Sequence, residues 1–145
     1  MSRSQAETLQ ASFIGVVRAL GLLRPDTTPC GQPMSITEAH ALGELHAEGA
    51  LTQQQLADAL RLQKSTVSRL IDQLVDAGLV TRAPNPKDRR SHLIGLTSSG
   101  TARARRLETA RRDLFERLLA EVLPEERQRI IDGVARLERA ADGLT

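Results

Sequence analysis

Apolar residues recur along this 145-residue chain at helical spacing in six stretches, and two short β-prone runs lie between the fourth and the fifth. Leu9, Phe13, Val16, Val17 and Leu20 make one stripe and predict a first helix over Gln5 to Leu22. Pro25 and Pro29 then break the chain, so Arg24 to Pro33 reads as a loop. Ser35-Ile36-Thr37-Glu38 has the form of a capping box and opens a helix to about Ala47, ended by Gly49. Its Ala39, Leu42 and Leu45, with Leu51 beyond, face a shared core. Thr52 with Gln55 forms a second box, and Leu56, Ala57 and Leu60 give the next helix a single apolar face. A three-residue turn (Arg61, Leu62, Gln63) leads to a helix from near Lys64, where Val67, Leu70, Ile71 and Leu74 fall at i, i+3, i+4 and i+7. Gly78 can take the left-handed conformation that ends it.

Leu79 to Arg82 and Ser91 to Leu96 are the β-prone runs, and Ala83 to Arg90 between them holds Pro84 and Pro86, which preclude a long helix. This is a hairpin with a basic tip, a wing. Thr97 can cap a long helix over Ser98 to Leu123 whose apolar residues gather late, at Leu107, Leu114, Phe115, Leu118, Leu119 and Val122. Pro124, with Glu125 and Glu126 behind it, starts a last helix striped by Ile130, Ile131, Val134, Leu137 and Ala141. The fold class is mainly α with a minor β part: a winged helix-turn-helix with a two-stranded β wing, flanked by helices at both ends. A compact winged helix does not need those flanking helices to close its own core. Their apolar stripes point to packing against a second copy.

The polar positions carry the candidate chemistry. The outward face of the helix from Lys64 presents Lys64, Ser65, Thr66, Ser68 and Arg69, with Asp72 and Gln73 further along. A helix N-terminus also aims its first N–H groups outward, which suits a phosphate. Such a surface fits a helix read into a DNA major groove, with Arg69 meeting a guanine edge or a phosphate and the hydroxyls meeting backbone or base edges. Charge is concentrated in the same place. Residues 61–92 hold seven Lys or Arg against three Asp, a local +4, within a chain of net +2. Arg82, Lys87 and Arg89 are expected to neutralise phosphates. Arg90, on a narrow arm, suits a minor groove, and Asp88 two residues earlier is expected to orient its guanidinium. Aromatics are nearly absent, with two Phe and neither Tyr nor Trp, which argues against stacking-based recognition of single strands. Double-stranded DNA is the expected partner.

The run Asp88-x-Arg90-x-x-x-Ile94-x-Leu96-Thr97, followed by Gly100, resembles the wing motif of the MarR family of transcription regulators. Leu56-Ala57, Lys64 to Leu70, Leu74 and Gly78-Leu79-Val80 resemble that family's helix-turn-helix, and the flanking helices match in length and order, so the likeness covers nearly the whole chain. The resemblance implies a homodimer, with residues 1–34 and 98–145 as dimerisation helices and 35–97 as the winged helix-turn-helix. It implies Arg90 as the minor-groove arginine. It also implies repression by covering a pseudo-palindromic operator, relieved by a small phenolic or anionic effector between the dimerisation helices and the reading region. Phe13, Val17 and His40 are the candidates to line that effector site.

Other chemistries have less support. There is no nucleophile with base spacing, phosphate-cradling glycine loop or cofactor fingerprint, so neither an enzyme nor a cofactor is expected. His40, His46 and His92 do not have metal-ligand spacing. Cys30 leaves open a thiol-based redox switch, but it sits in a Pro/Gly loop without tyrosine partners, and a single cysteine fits a reducing, cytoplasmic setting. No apolar run is long enough to span a bilayer. A winged-helix adaptor that binds protein and never touches DNA is the alternative from another class.

Overall fold

The computed structural model describes residues 2–144. The order is α1 (Gln5–Ala19), α2 (Ile36–Glu48), β1 (Leu51–Thr52), α3 (Gln53–Leu60), α4 (Lys64–Asp76), β2 (Val80–Pro84), β3 (His92–Leu96), α5 (Ser98–Ala120) and α6 (Pro124–Asp142). Two compact units divide within α5, one up to Arg111 and the other from Arg112 onward.

The core belongs to the first unit. Leu42 of α2, Leu56 of α3, Val67, Ile71 and Leu74 of α4, Val80 and Ile94 of the sheet, and Leu107 of α5 are its largest fully buried side chains. The apolar stripes read for α2, α3 and α4 are thus the faces that meet. Thr52 caps α3 as a complete box: its hydroxyl accepts from the Gln55 N–H at 3.1 Å, and the Gln55 amide oxygen accepts from the Thr52 N–H at 2.9 Å. Ser35 caps α2 differently from the expected box. Its hydroxyl accepts from the Glu38 N–H but donates to the Glu38 carboxylate, so the two side chains close on each other.

α1 is shorter than its apolar stripe. Gly21, at φ 72°, turns the chain, and Leu22 donates to Val17 O while Gly21 donates to Arg18 O. This paired closure stops the helix before Leu22. At the other end Ser4 and Glu7 form a capping box that the stripe alone did not mark. No α1 residue is buried, and Leu9, Phe13 and Val16 lie exposed. In the second unit, α6 starts with Pro124 at its first turn and likewise buries no residue, leaving Ile130, Ile131, Val134 and Leu137 exposed.

The sheet has three antiparallel strands in the order β1-β3-β2, one more than the expected two-stranded wing. β1 is only Leu51 and Thr52, paired to Ile94 and Leu93, and Thr52 also caps α3. Two residues carry no alternation to read. β2 and β3 pair from Val80 opposite Leu96 to Pro84 opposite His92, so both strand starts fall slightly later than expected.

The end of α4 and the start of α5 are locked together. Gly78, at φ 73°, lets Leu79 N–H reach Leu74 O at 2.9 Å and bury its side chain. The Leu79 carbonyl then accepts from the Thr97 N–H at 3.0 Å. The Thr97 hydroxyl donates to Gly78 O at 2.7 Å and accepts from the Gly100 N–H at 3.0 Å, capping α5. Gly100 is required at its place, because a Cβ there would lie 1.9 Å from Leu79 O. That contact is to backbone, so no rotamer change relieves it. Gly100→Ala is expected to destabilise the protein by about 1–3 kcal/mol or more, read as a lower urea midpoint at unchanged m-value. A wild-type midpoint would show that the junction yields freely.

Candidate nucleic-acid interface

α4 buries Val67, Leu70, Ile71 and Leu74 and turns the opposite face outward. Lys64, Ser65, Thr66 and Arg69 are exposed there and Ser68 is half-buried. Gln63 at the N-cap makes no side-chain hydrogen bond, so the first turn of α4 has no side-chain cap of its own. The helix is tied to α3 instead by the Gln53 amide, which donates to Lys64 O at 3.2 Å.

The wing tip is built by two short carboxamide and carboxylate turns. The Asn85 side chain accepts from the Lys87 N–H at 3.1 Å and donates to the Ser91 hydroxyl at 3.0 Å. The Asp88 carboxylate accepts from the Arg90 N–H at 3.0 Å. Each side chain thus holds the backbone two residues on, a pattern Asn and Asp favour because their short arms reach it. Asp88 was expected to orient the Arg90 guanidinium. What it holds is the Arg90 main chain, and the side chains of Lys87, Arg89 and Arg90 project exposed from a tip so fixed. Asn85 was missed as a site residue, although Asn-Pro followed by a polar residue is itself a turn signal.

Arg82 has a partner that the sequence did not mark. On β2 it stands two residues beyond buried Val80, on the same side of the strand, and its guanidinium is ion-paired to the Asp72 carboxylate of α4. Asp72 was read only as part of the polar face.

A cavity of about 620 Å³ opens in the first unit between α2, the end of α3 and α5. His40, Glu44 and His46 of α2, Arg61 after α3, and Glu108 and Arg111 of α5 supply its polar lining. His46 Nε2 lies 3.6 Å from Glu108 Oε2. Of the three residues expected to line an effector site, His40 is here and Phe13 and Val17 are not: Phe13 is 60% exposed on α1, and Val17 is half-buried there. Cys30 is half-buried, with Sγ 3.1 Å from the hydroxyl of buried Thr28. Among the described residues, no three His, Cys, Asp or Glu side chains gather as a metal group, and no helix is long and apolar enough to cross a membrane.

A family model described as the MarR family matches residues 34–92, from just before α2 to the first residue of β3. An HTH-type transcriptional regulator of Mycobacterium tuberculosis is 35% identical over 114 residues, covering 78% of this chain and 76% of that one. Among solved structures, Streptococcus pneumoniae FabT in complex with DNA superposes with a TM-score of 0.77 at 21% identity, over 97% of this chain and 96% of the other. The PcaV transcriptional regulator of Streptomyces coelicolor in complex with its natural ligand gives 0.73 at 22%, over 97% and 99%. At these identities the two structures speak for the fold.

Burial of the ring, and then Arg111 nearby, hold the His40 imidazole below its usual range, with Glu44 opposing. The folded state therefore favours neutral His40, and below about pH 6.5 the unfolded chain takes up more protons at this site. Stability is fully present above that pH and declines as pH falls toward the lowered value. Replacing His40 by Gln should flatten the change in urea midpoint between pH 7.5 and 5.5. An unaltered pH dependence would remove His40 as its source.

Proposed function

The chain belongs to the MarR family of transcriptional regulators, and we propose that it acts as a sequence-specific, double-stranded-DNA-binding homodimer, a repressor on a pseudo-palindromic operator. The observation that carries this reading is the placement of the exposed α4 face and the basic wing tip in one unit, where residues 61–92 hold seven Lys or Arg against three Asp. In this reading Lys64, Ser65, Thr66, Ser68 and Arg69 enter the major groove, while the uncapped first turn of α4 meets a phosphate. Arg90 enters the flanking minor groove, where narrowness deepens the negative potential, and Lys87 and Arg89 neutralise the backbone beside it. Asp88 serves by stiffening the tip.

The exposed apolar faces of α1 and α6 support the dimer, since such surface is rarely left to water. Residues 1–34 and 98–145 would then supply the dimer and 35–97 the reading region. Two-fold symmetry would set the recognition helices about one DNA turn, roughly 34 Å, apart. Repression is steric, because a dimer on a promoter excludes polymerase. The cavity beside His40 fits a small phenolic or anionic effector: Arg111 offers a cation, and α2 and α5 can shift against each other when it fills.

Selection from genomic fragments across a salt series tests the reading. An inverted repeat should be enriched, with a log–log salt slope of about −7 for some eight neutralised phosphates per dimer, and Arg90→Ala should weaken operator binding about tenfold or more. No enrichment with a flat salt response would exclude it. For the effector, a small aromatic acid should release the operator from the wild type, while Arg111→Ala keeps operator affinity and loses release. Release that persists in Arg111→Ala would move the effector elsewhere.

A further inference from the structure

Asp72 is a poor residue for a DNA-reading surface. It is one helical turn beyond Arg69 on the outward side of α4, its side chain is 59% exposed, and a bare carboxylate there would repel the phosphates that Lys64 and Arg69 are placed to meet. The structure answers the charge with Arg82 of β2, the strand that leads into the wing. The pair therefore ties the reading helix to the wing across two elements ten positions apart in sequence.

We propose that the Asp72–Arg82 ion pair is a positioning device that fixes the angle between the reading helix and the wing, so that Arg69 and Arg90 reach their grooves together, and that Arg82 is not a phosphate ligand. The inference rests on the DNA-binding reading above. Three features support it. Arg82 shares the sheet face of buried Val80, so its stem rises toward α4. A guanidinium has a planar fork suited to holding a carboxylate in one orientation. Both partners are substantially exposed, and exposed pairs contribute little to folding stability. A contact that adds little stability yet crosses between two reading elements can still set geometry, since a small misplacement of either arm loses contacts made by both.

Charge makes the decisive test unusual. Asp72→Asn keeps every cation and removes an anion from the reading face, so electrostatics alone predicts equal or tighter DNA binding. The positioning role predicts the opposite: about tenfold weaker binding to the selected operator, altered base preference, and affinity for random DNA retained. Arg82→Gln should show the same change in base preference, and the double variant should be no worse than the worse single, because the two act as one unit. Asp72→Glu, which keeps the carboxylate, should recover most of the preference. Thermal melts of all four should lie near the wild type. The proposal is overturned if Asp72→Asn binds the operator as well as the wild type with unchanged base preference. It is also overturned if Arg82→Gln leaves preference intact and makes the dimer's salt slope shallower by about 2, the mark of a lost phosphate ligand in each subunit. A wild type that enriches no sequence removes the DNA reading and this inference with it. A wild type that enriches an operator, beside an indifferent Asp72→Asn, removes the inference alone.

Discussion

The carbonyl of Leu79 is the point on which the reading region depends. It accepts the Thr97 N–H and lies against the bare Cα of Gly100, while Thr97 bonds to Gly78 and caps α5. Three consequences follow from one contact. The recognition helix ends where Gly78 turns; the hairpin returns in register, with Val80 opposite Leu96; and α5 starts at a fixed place against the end of α4. Any side chain at position 100 would push these apart. The wing and the reading helix are therefore not two modules on a linker. They meet in one corner, joined by these backbone and hydroxyl hydrogen bonds.

On that corner, charge is arranged by partnering as much as by number. The cations left to project, Lys64 and Arg69 on the helix and Lys87, Arg89 and Arg90 on the wing, lie exposed. Arg82, between them, is engaged by Asp72. Asn85 and Asp88 spend their hydrogen-bonding capacity on the tip's main chain, which limits the backbone freedom that would otherwise be lost on binding. The cavity between α2, the end of α3 and α5 holds groups of both signs, with Arg111 and His40 beside Glu44 and Glu108.

Much of this was legible in the sequence because it is local. The Thr52–Gln55 box, the left-handed Gly78, the turn from Arg61 to Gln63 and the stripe from Val67 to Leu74 need only spacing to be read. The wing strands were legible from two β-prone runs around prolines. What escaped reading depends on distance or on choice between equal partners. Asp72 and Arg82 meet only because α4 folds onto β2. Asp88 had a guanidinium and a main-chain N–H within reach, and composition does not say which one a carboxylate takes. β1 is too short to show a period. Phe13 and Val17 have the same helical spacing as a core stripe, yet α1 buries nothing in the single chain, since spacing marks an apolar face without saying what covers it.

In the proposed complex the wing tip sits in a minor groove on each side of a two-fold site. A cysteine at position 87, introduced in a Cys30→Ser background and coupled to an iron chelate, would place a hydroxyl-radical source on that tip. Bound to its selected operator, the protein should cut the DNA at two confined positions, symmetric about the operator's centre and offset as minor-groove cleavage is. Cleavage spread evenly along the bound operator, or none above the unconjugated protein, would contradict the account.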